Sequence, residues 1–369
     1  MKSSQSKATA HARKRPIDQK SLAKKSMRYA VDYMDHAPVW QAPIFARGFF
    51  RPTQNGAPAR PLEVNFKSKI QGSLVRYVAR SPEALNITDQ AVYFYLCQLM
   101  AQGVHLLKPD HKSYAIYKQA LESSGMWPTA PLSVVRVKPA DIAVGIGLTR
   151  TGTNAKAMLA SLDRLSQTIL HRERFKANAV AETGRSRFLG FLCFDTEVGV
   201  VMNIESGLHV QTHKGVAWVN MREHRSLPTK PAKRLHAWMT AWASPMEHKL
   251  VALDKLLVCV WGETPETPAI RKDRMRTLRK AIQEVGQLPG WSCVISEDGR
   301  HLLVRKPLFA GTTAQADKSA PTSAAVSPTK PAATHTETAE TPTQLAVTPT
   351  FISLKTASSF DSDELVFSL

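Results

Sequence analysis

Apolar residues recur at helical spacing in the stretch Leu253–Leu288, which also contains a loop with two prolines. The spacing of a buried helical face is shared by Ile270, Leu278, Ile282 and Val285. Beyond this stretch, the apolar segments Trp291–Ile295 and His301–Arg305 flank the turn formed by residues 297–299, Glu-Asp-Gly. That arrangement predicts a β-hairpin after the helix.

The predicted helix at 270–286 carries many more cations than acids. Its basic residues are Arg271, Lys272, Arg274, Arg276, Arg279 and Lys280, against Asp273 and Glu284. A helix, a turn, a basic helix and a hairpin follow each other in the order of a winged helix-turn-helix, whose second helix enters the DNA major groove. For the helix alone, a solvated basic face on any globular domain is the alternative.

The same element order is predicted earlier in the chain, at an offset of about 113 to 123 residues. The earlier copy comprises a strand at 133–137, helices at 139–145 and 153–167, and strands at 168–175 and 187–194 joined by a loose loop. The later copy comprises a strand at 249–252, helices at 253–261 and 270–286, and the hairpin at 291–305. The sequence therefore predicts an α+β fold of two tandem winged-helix domains, at 37–205 and 206–308.

Further elements are predicted around these two copies. Strands are expected at 43–51, 62–66, 200–204 and 216–221, and helices at 87–100, capped by Thr88 or Asp89, at 114–122 and at 228–243. The Lys/Arg-rich residues 1–36 are expected to be a disordered basic arm, which either contacts phosphates or has no specific role. The Pro/Thr/Ala-rich residues 309–369 are expected to be a disordered tail, with a partner-binding motif at its end as the alternative.

Charge narrows the choice of partner. The 369 residues carry a formal charge of +19, and residues 37–308 alone hold +16 of it. This charge indicates a polyanionic partner, most simply nucleic acid. The four cysteines are far apart and form no metal or disulfide spacing, so they are expected to be small core residues in a reducing compartment. No apolar segment is long enough to cross a membrane, which favours a cytoplasmic protein.

Candidate DNA contacts follow from the two predicted second helices. In the later copy, Arg271, Lys272, Arg274 and Met275 are expected at base edges, and Arg276, Arg279 and Lys280 at phosphates. In the earlier copy, the outward candidates for DNA contact are Thr151, Thr153, Asn154 and Lys156, with packing of that helix on protein as the alternative. Candidate contacts from the first wing are Arg172 and Arg174.

No pattern in the chain predicts a catalytic, metal or cofactor site. The glycines at 145–152 lack the ending of a phosphate-binding loop, and His209 and His213 have no third ligand beside them. No acidic cluster suits two-metal chemistry. The sequence thus predicts a DNA-binding protein that is not an enzyme.

Several segments resemble a known family, the RepC-type replication initiators of broad-host-range mobilisable (IncQ-type) plasmids. The segments that carry the resemblance are VNMREHRSL (219–227), KRLHAWMTAW (233–242), LDKLLVCVW (253–261), IRKDRMR (270–276) and LPGW (288–291). A fainter likeness lies in FARGFFR (45–51) and IAVGI (142–146). The resemblance implies two linked winged-helix domains that bind repeated origin sequences (iterons), open the adjacent DNA and admit helicase and primase.

Three hypotheses follow. The leading one is a plasmid replication initiator, with self-association as a further expectation. The second is a winged-helix transcriptional or partition regulator that binds an operator. The third is a primase or relaxase whose active site has no recognisable pattern.

Overall fold

The computed structural model describes residues 35–308, apart from 54–60, 71–72, 104, 126–128 and 177–178. The predicted arm before Asp35 and the predicted tail from 309 onward lie outside the described residues. Within this part of the chain, helices and strands alternate along the sequence and share their cores, so the predicted mixture of α and β structure is confirmed. No helix among the described residues is long and apolar enough to cross a membrane.

The described residues form ten helices and sixteen strands. The helices are α1 (Gln41–Phe45), α2 (Ile87–Gln102), α3 (Tyr114–Ala120), α4 (Pro139–Gly145), α5 (Gly152–Gln167), α6 (Ile204–Thr212), α7 (Met221–Ser226), α8 (Lys230–Trp242), α9 (Leu253–Trp261) and α10 (Pro268–Gly286). The strands are β1 (His36–Trp40), β2 (Phe50–Arg51), β3 (Leu62–Ile70), β4 (Ser73–Ser81), β5 (Leu85–Asn86), β6 (His105–Leu107), β7 (Ser124–Gly125), β8 (Leu132–Val137), β9 (Ile169–Lys176), β10 (Ala179–Arg187), β11 (Leu189–Cys193), β12 (Val198–Met202), β13 (Val216–Asn220), β14 (His248–Ala252), β15 (Ser292–Ile295) and β16 (His301–Arg305).

The strands form small sheets rather than one continuous sheet. The largest has the strand order β3-β4-β9-β10-β7, and a four-stranded sheet has the order β11-β12-β8-β6. A three-stranded sheet, β14-β16-β15, lies near the C-terminal end of the described chain. Two-stranded pairs join β1 to β13 and β2 to β5.

Two large hydrophobic cores hold these elements together. The first takes side chains from β1, β3, β4, α2, α5, β12 and β13, including Trp40, Phe94 and Leu162. The second takes side chains from α8, α9, α10 and the three-stranded sheet, including Leu235 and Leu278. A smaller cluster lies around α3. Helix α10 is thus attached to the protein through the second core.

Local sequence signals explain where the main helices begin. Asn86 caps α2: its side chain accepts hydrogen bonds from the backbone amides of Thr88 and Asp89, and the Asp89 carboxylate accepts from the Asn86 amide. The cap is therefore earlier than the predicted Thr88 or Asp89. Helix α10 begins at Pro268, and the Thr267 side chain accepts a hydrogen bond from the Ile270 amide.

Strand pairing distinguishes the two predicted copies, although their element order agrees. In the later copy, β14 pairs with β16, which pairs with β15, so the leading strand and the hairpin share one sheet. In the earlier copy, β8 pairs with β12 and β6, whereas β9 and β10 belong to the five-stranded sheet. The predicted hairpin partner of β9 is also wrong: the partner is β10, in the segment predicted as a loop, and β11 lies in another sheet.

Two other sequence expectations are wrong. The strand predicted at 43–51 is the short helix α1 followed by a turn, and only Phe50–Arg51 is extended. Cys97 and Cys259 are buried as expected, but Cys193 is exposed and Cys293 is half-buried.

Candidate DNA-binding surface

The N-terminal half of α10 extends beyond the second core. Leu278, Ala281, Ile282 and Val285 are buried and anchor the C-terminal half. Ile270, predicted to belong to that buried face, is instead 37% exposed, because the first two turns of the helix project past the core. The first two turns of α10 are therefore exposed to solvent on more than one side.

The outward face of α10 is basic. Successive residues turn by about 100° around a helix, so the side opposite the buried residues carries Lys272, Arg276, Arg279, Lys280 and Gln283. All five are exposed. Arg276 pairs at 2.6 Å with Asp273 on the same helix, an exposed i,i+3 pair of little energetic value. Within the described chain, no ion pair is formed by Lys272, Arg279 or Lys280.

Three residues predicted at base edges lie on the side of α10 that faces the protein. Arg271 is paired at 2.8 Å with Asp254 of α9. Arg274 donates to Glu263 at 2.9 Å, and its guanidinium lies 5.9 Å from the centre of the Trp261 ring. Met275 packs against the second core. Arg274 and Met275 are therefore half-buried against the protein, whereas Lys272 and the Arg271–Asp254 pair remain exposed.

The hairpin turn lies beside this basic face. A side chain at Gly299, in the turn between β15 and β16, would be in van der Waals contact with the Arg279 guanidinium. Gly299 has a φ of +66°, so glycine suits the turn. Asp298 accepts hydrogen bonds from the Ser296 hydroxyl and the Arg300 amide, which lower the pKa of its carboxyl. The turn and α10 thus form one continuous outer surface.

Helix α5, the corresponding helix of the earlier copy, has a different outer face. Thr151 is its N-cap, and the Asn154 side chain donates to the Thr149 carbonyl at 2.7 Å, so both predicted contacts already have a local structural role. Thr153 and Lys156 are exposed on the outward side. This face is small and nearly neutral, in contrast with that of α10.

The predicted wing contact at Arg172 is wrong. Arg172 is 1% exposed, and its guanidinium forms a buried ion pair with Glu205 of α6. Its strand is the middle strand of the five-stranded sheet, and the side chain faces the core rather than solvent. Arg174, two residues along, is half-buried and bonds to Ser73 at 3.1 Å and to Glu182 at 3.5 Å.

Comparison with known proteins now identifies the family. The model of the family described as Replication protein C (RepC) matches residues 28–306. The chain belongs to the RepC family. The match extends well beyond the 206–307 region in which the resemblance is strongest in sequence. Family membership supports a role as a replication initiator.

Two solved structures are similar to this RepC chain at low identity. A crystal structure of a selenomethionine derivative of domains 2 and 3 of RctB has 13% identity and a TM-score of 0.42, and the match covers 73% of this chain and 98% of that one. A further crystal structure of RctB domains 2 and 3 has 13% identity and a TM-score of 0.41, with 70% and 94% covered. No curated protein matches the chain.

A contact that the sequence did not predict brings the FARGFFR segment of this RepC chain to the loop before α10. Gly48 and Gly262 have φ values of +75° and +83°, and their backbones are so close that a Cβ on Gly262 would lie 2.2 Å from the Gly48 Cα. Arg51 lies 3.7 Å from Glu263, the residue that also holds Arg274. The likeness of this segment to the family was the only signal available.

Three other family segments of the RepC chain meet at Glu223. Its carboxylate lies 3.0 Å from His236 Nε2 and accepts a hydrogen bond from Trp291 Nε1 at 3.0 Å. Burial alone would raise the pKa of Glu223, but the hydrogen bond and charge of His236, with the Trp291 bond, leave it lowered. One carboxylate therefore connects α7, α8 and the entry to the hairpin.

Proposed function

We propose that this chain initiates plasmid replication by binding directly repeated origin sequences (iterons) in double-stranded DNA. The observation that carries the proposal is the outward face of α10, where Lys272, Arg276, Arg279 and Lys280 are exposed beside a hairpin turn. Membership of the RepC family supports a replication role for such a surface.

The later copy is proposed to be a winged-helix domain. Its strand β14, helices α9 and α10, and hairpin β15–β16 have the order of that motif, and all three strands share one sheet. In a winged helix, the second helix lies in the major groove and its N-terminal half contacts base edges. Lys272 and Arg276 project from that half and are assigned to base edges, and Arg279 and Lys280 to phosphates.

The earlier copy is proposed to supply a second, weaker DNA contact through α5. Thr153 and Lys156 are its exposed candidates, and Arg150, which precedes them, is already paired with Asp141. Since this face is nearly neutral, it contributes less to the salt-dependent part of binding than α10 does.

The steps after binding extend the proposal. Binding to the iterons opens the adjacent origin DNA and recruits helicase and primase, and the protein itself performs no catalysis. Self-association on neighbouring repeats belongs to the same proposal.

Footprinting of the purified full-length protein on its own plasmid tests the proposal. The expected result is protection of several directly repeated sites near an AT-rich stretch. A single protected palindrome would favour an operator-binding regulator, and primer synthesis or strand cleavage would favour an enzyme. Either result would overturn the proposed function.

A further inference from the structure

The turn that carries Arg47 is fixed beside the loop that leads into α10. Gly48, the next residue, packs its backbone against Gly262, the first residue after α9. Both glycines have positive φ values, which other residues rarely adopt. The position of Arg47 is therefore set by the C-terminal end of α9, although the two segments are far apart in sequence.

Arg51 strengthens the same attachment. Its Nε donates to the Gly48 carbonyl at 3.0 Å, and its Nη1 lies 3.7 Å from Glu263 Oε2. The other oxygen of Glu263 accepts from Arg274 of α10 at 2.9 Å. A single carboxylate thus lies between the Arg47 turn and the N-terminal half of α10.

Cations gather on this side of α9. Arg47 is exposed and Lys255 is half-buried. Lys255 lies two helical turns before Gly262, so it is on the side of α9 against which Gly48, the neighbour of Arg47, packs. Consistent with this placement, burial raises the pKa of the Cys259 thiol, whereas Arg234, Arg47 and Lys255 act in the opposite direction. In the part of the chain that the structure describes, neither Arg47 nor Lys255 forms an ion pair with a carboxylate.

We infer that Arg47 and Lys255 form a phosphate-binding pair for the backbone of the DNA that α10 engages. The inference rests on the proposed function. In helix-turn-helix proteins, the helix before the recognition helix crosses the DNA backbone, which is the position of α9. Exposed cations outside the groove-binding helix contact phosphates, and such contacts position the protein without selecting sequence.

The test uses the full-length Arg47→Ala/Lys255→Ala variant in titrations against the origin repeat and a scrambled duplex, at several salt concentrations. Each lost phosphate contact lowers the slope of log affinity against log salt by about 0.9, so the slope should fall by about two for both duplexes. The ratio between the two affinities should stay unchanged. The matched control is Lys108→Ala/Lys112→Ala, two exposed lysines in the turn between β6 and α3.

A charge-conserving variant, Arg47→Lys/Lys255→Arg, separates lost contacts from a disturbed fold, and it should restore the slope. The inference is overturned if the alanine variant keeps the wild-type slope, or if the control lowers the slope as much. If the wild-type protein shows no preference for the origin repeat, the proposed function fails. The slopes on the scrambled duplex would then still decide whether Arg47 and Lys255 contact phosphate.

Discussion

Replacing Arg172 with alanine tests the most consequential difference between sequence and structure. Arg172 and Glu205 are both about 1% exposed and form an ion pair across the first core. The Arg172 guanidinium also approaches the carbonyls of Ser124 and Arg185, at 3.4 and 3.5 Å. Arg172→Ala would leave the Glu205 carboxylate buried without its cation. Breaking a buried ion pair in this way costs about 3–5 kcal/mol.

Urea unfolding, followed by tryptophan fluorescence, measures this cost. Arg172→Ala should lose about 3–5 kcal/mol of unfolding free energy. The double variant Arg172→Met/Glu205→Leu should recover most of it, because it removes both buried charges and keeps apolar volume. For DNA titrations, we expect the double variant to keep the wild-type salt slope, since neither side chain reaches the surface.

An opposite pattern would refute the buried assignment. A stability loss below about 1 kcal/mol for Arg172→Ala, typical of an exposed pair, together with a lower salt slope, would place Arg172 on the DNA-contacting surface.

Three further changes probe other parts of the molecule. Arg279→Ala should weaken binding to all duplexes alike and lower the salt slope by about one, measured by anisotropy; an effect on the origin repeat alone would contradict a phosphate contact. Gly262→Ala should lower the free energy of unfolding in urea by more than about 1 kcal/mol, because Gly262 has a positive φ and its backbone contacts Gly48. Gly152→Ala, with open space around it, should leave that free energy unchanged or raise it, and equal effects of the two changes would refute the packing argument. Burial lowers the pKa of Lys306 from 10.5 to about 8, although the charge of Glu223 opposes this shift. Between about pH 8 and 10.5 the unfolded chain therefore binds more protons than the folded chain, so the contribution of Lys306 to the free energy of unfolding increases with pH over that range. Urea midpoints across that range should rise less for Lys306→Met than for wild type, and parallel curves would contradict the shift.

Local patterns were sufficient to predict the later copy. Helix α9 has the predicted bounds, α10 begins two residues before the predicted start, and the hairpin strands β15 and β16 lie where predicted. Each of these elements is marked by a local sequence feature: apolar periodicity in the helices, Thr-Pro at the start of α10 and Glu-Asp-Gly in the hairpin turn. The exposure of the N-terminal end of α10 was not predictable in this way. Ile270 continues the apolar spacing of the helix, but this spacing does not show where the core beneath the helix ends.

Long-range pairing explains most of what sequence could not predict. Both β10 and β11 follow β9 as extended segments, and local sequence does not determine which of the two pairs with it. The sequence around Arg172 does not indicate that its ion-pair partner is Glu205, which is 33 residues away. The sequence therefore predicts that Arg172, on a hairpin strand, faces solvent, although that strand is central in a larger sheet.

Side-chain direction on α10 illustrates a finer limit. The sequence predicts Arg271 and Arg274 at base edges because they lie in the N-terminal half of a basic helix. Their carboxylate partners, Asp254 and Glu263, come from α9 and the loop after it: Glu263 holds Arg274 half-buried against the protein, whereas the Arg271–Asp254 pair is exposed. In the N-terminal half of α10, Lys272 and Arg276 are the basic residues on the side opposite the buried positions.

The most direct test of the central claim is the ratio of affinities for the origin repeat and a scrambled duplex, measured for Lys272→Ala/Arg276→Ala in the full-length protein. Each base-edge contact contributes about 1–3 kcal/mol of discrimination, so the ratio should fall at least about tenfold while the fold remains stable. Arg274→Ala, whose side chain faces Glu263 and Trp261, should leave the ratio close to wild type. An unchanged ratio in the double variant would contradict sequence recognition by the outward face of α10.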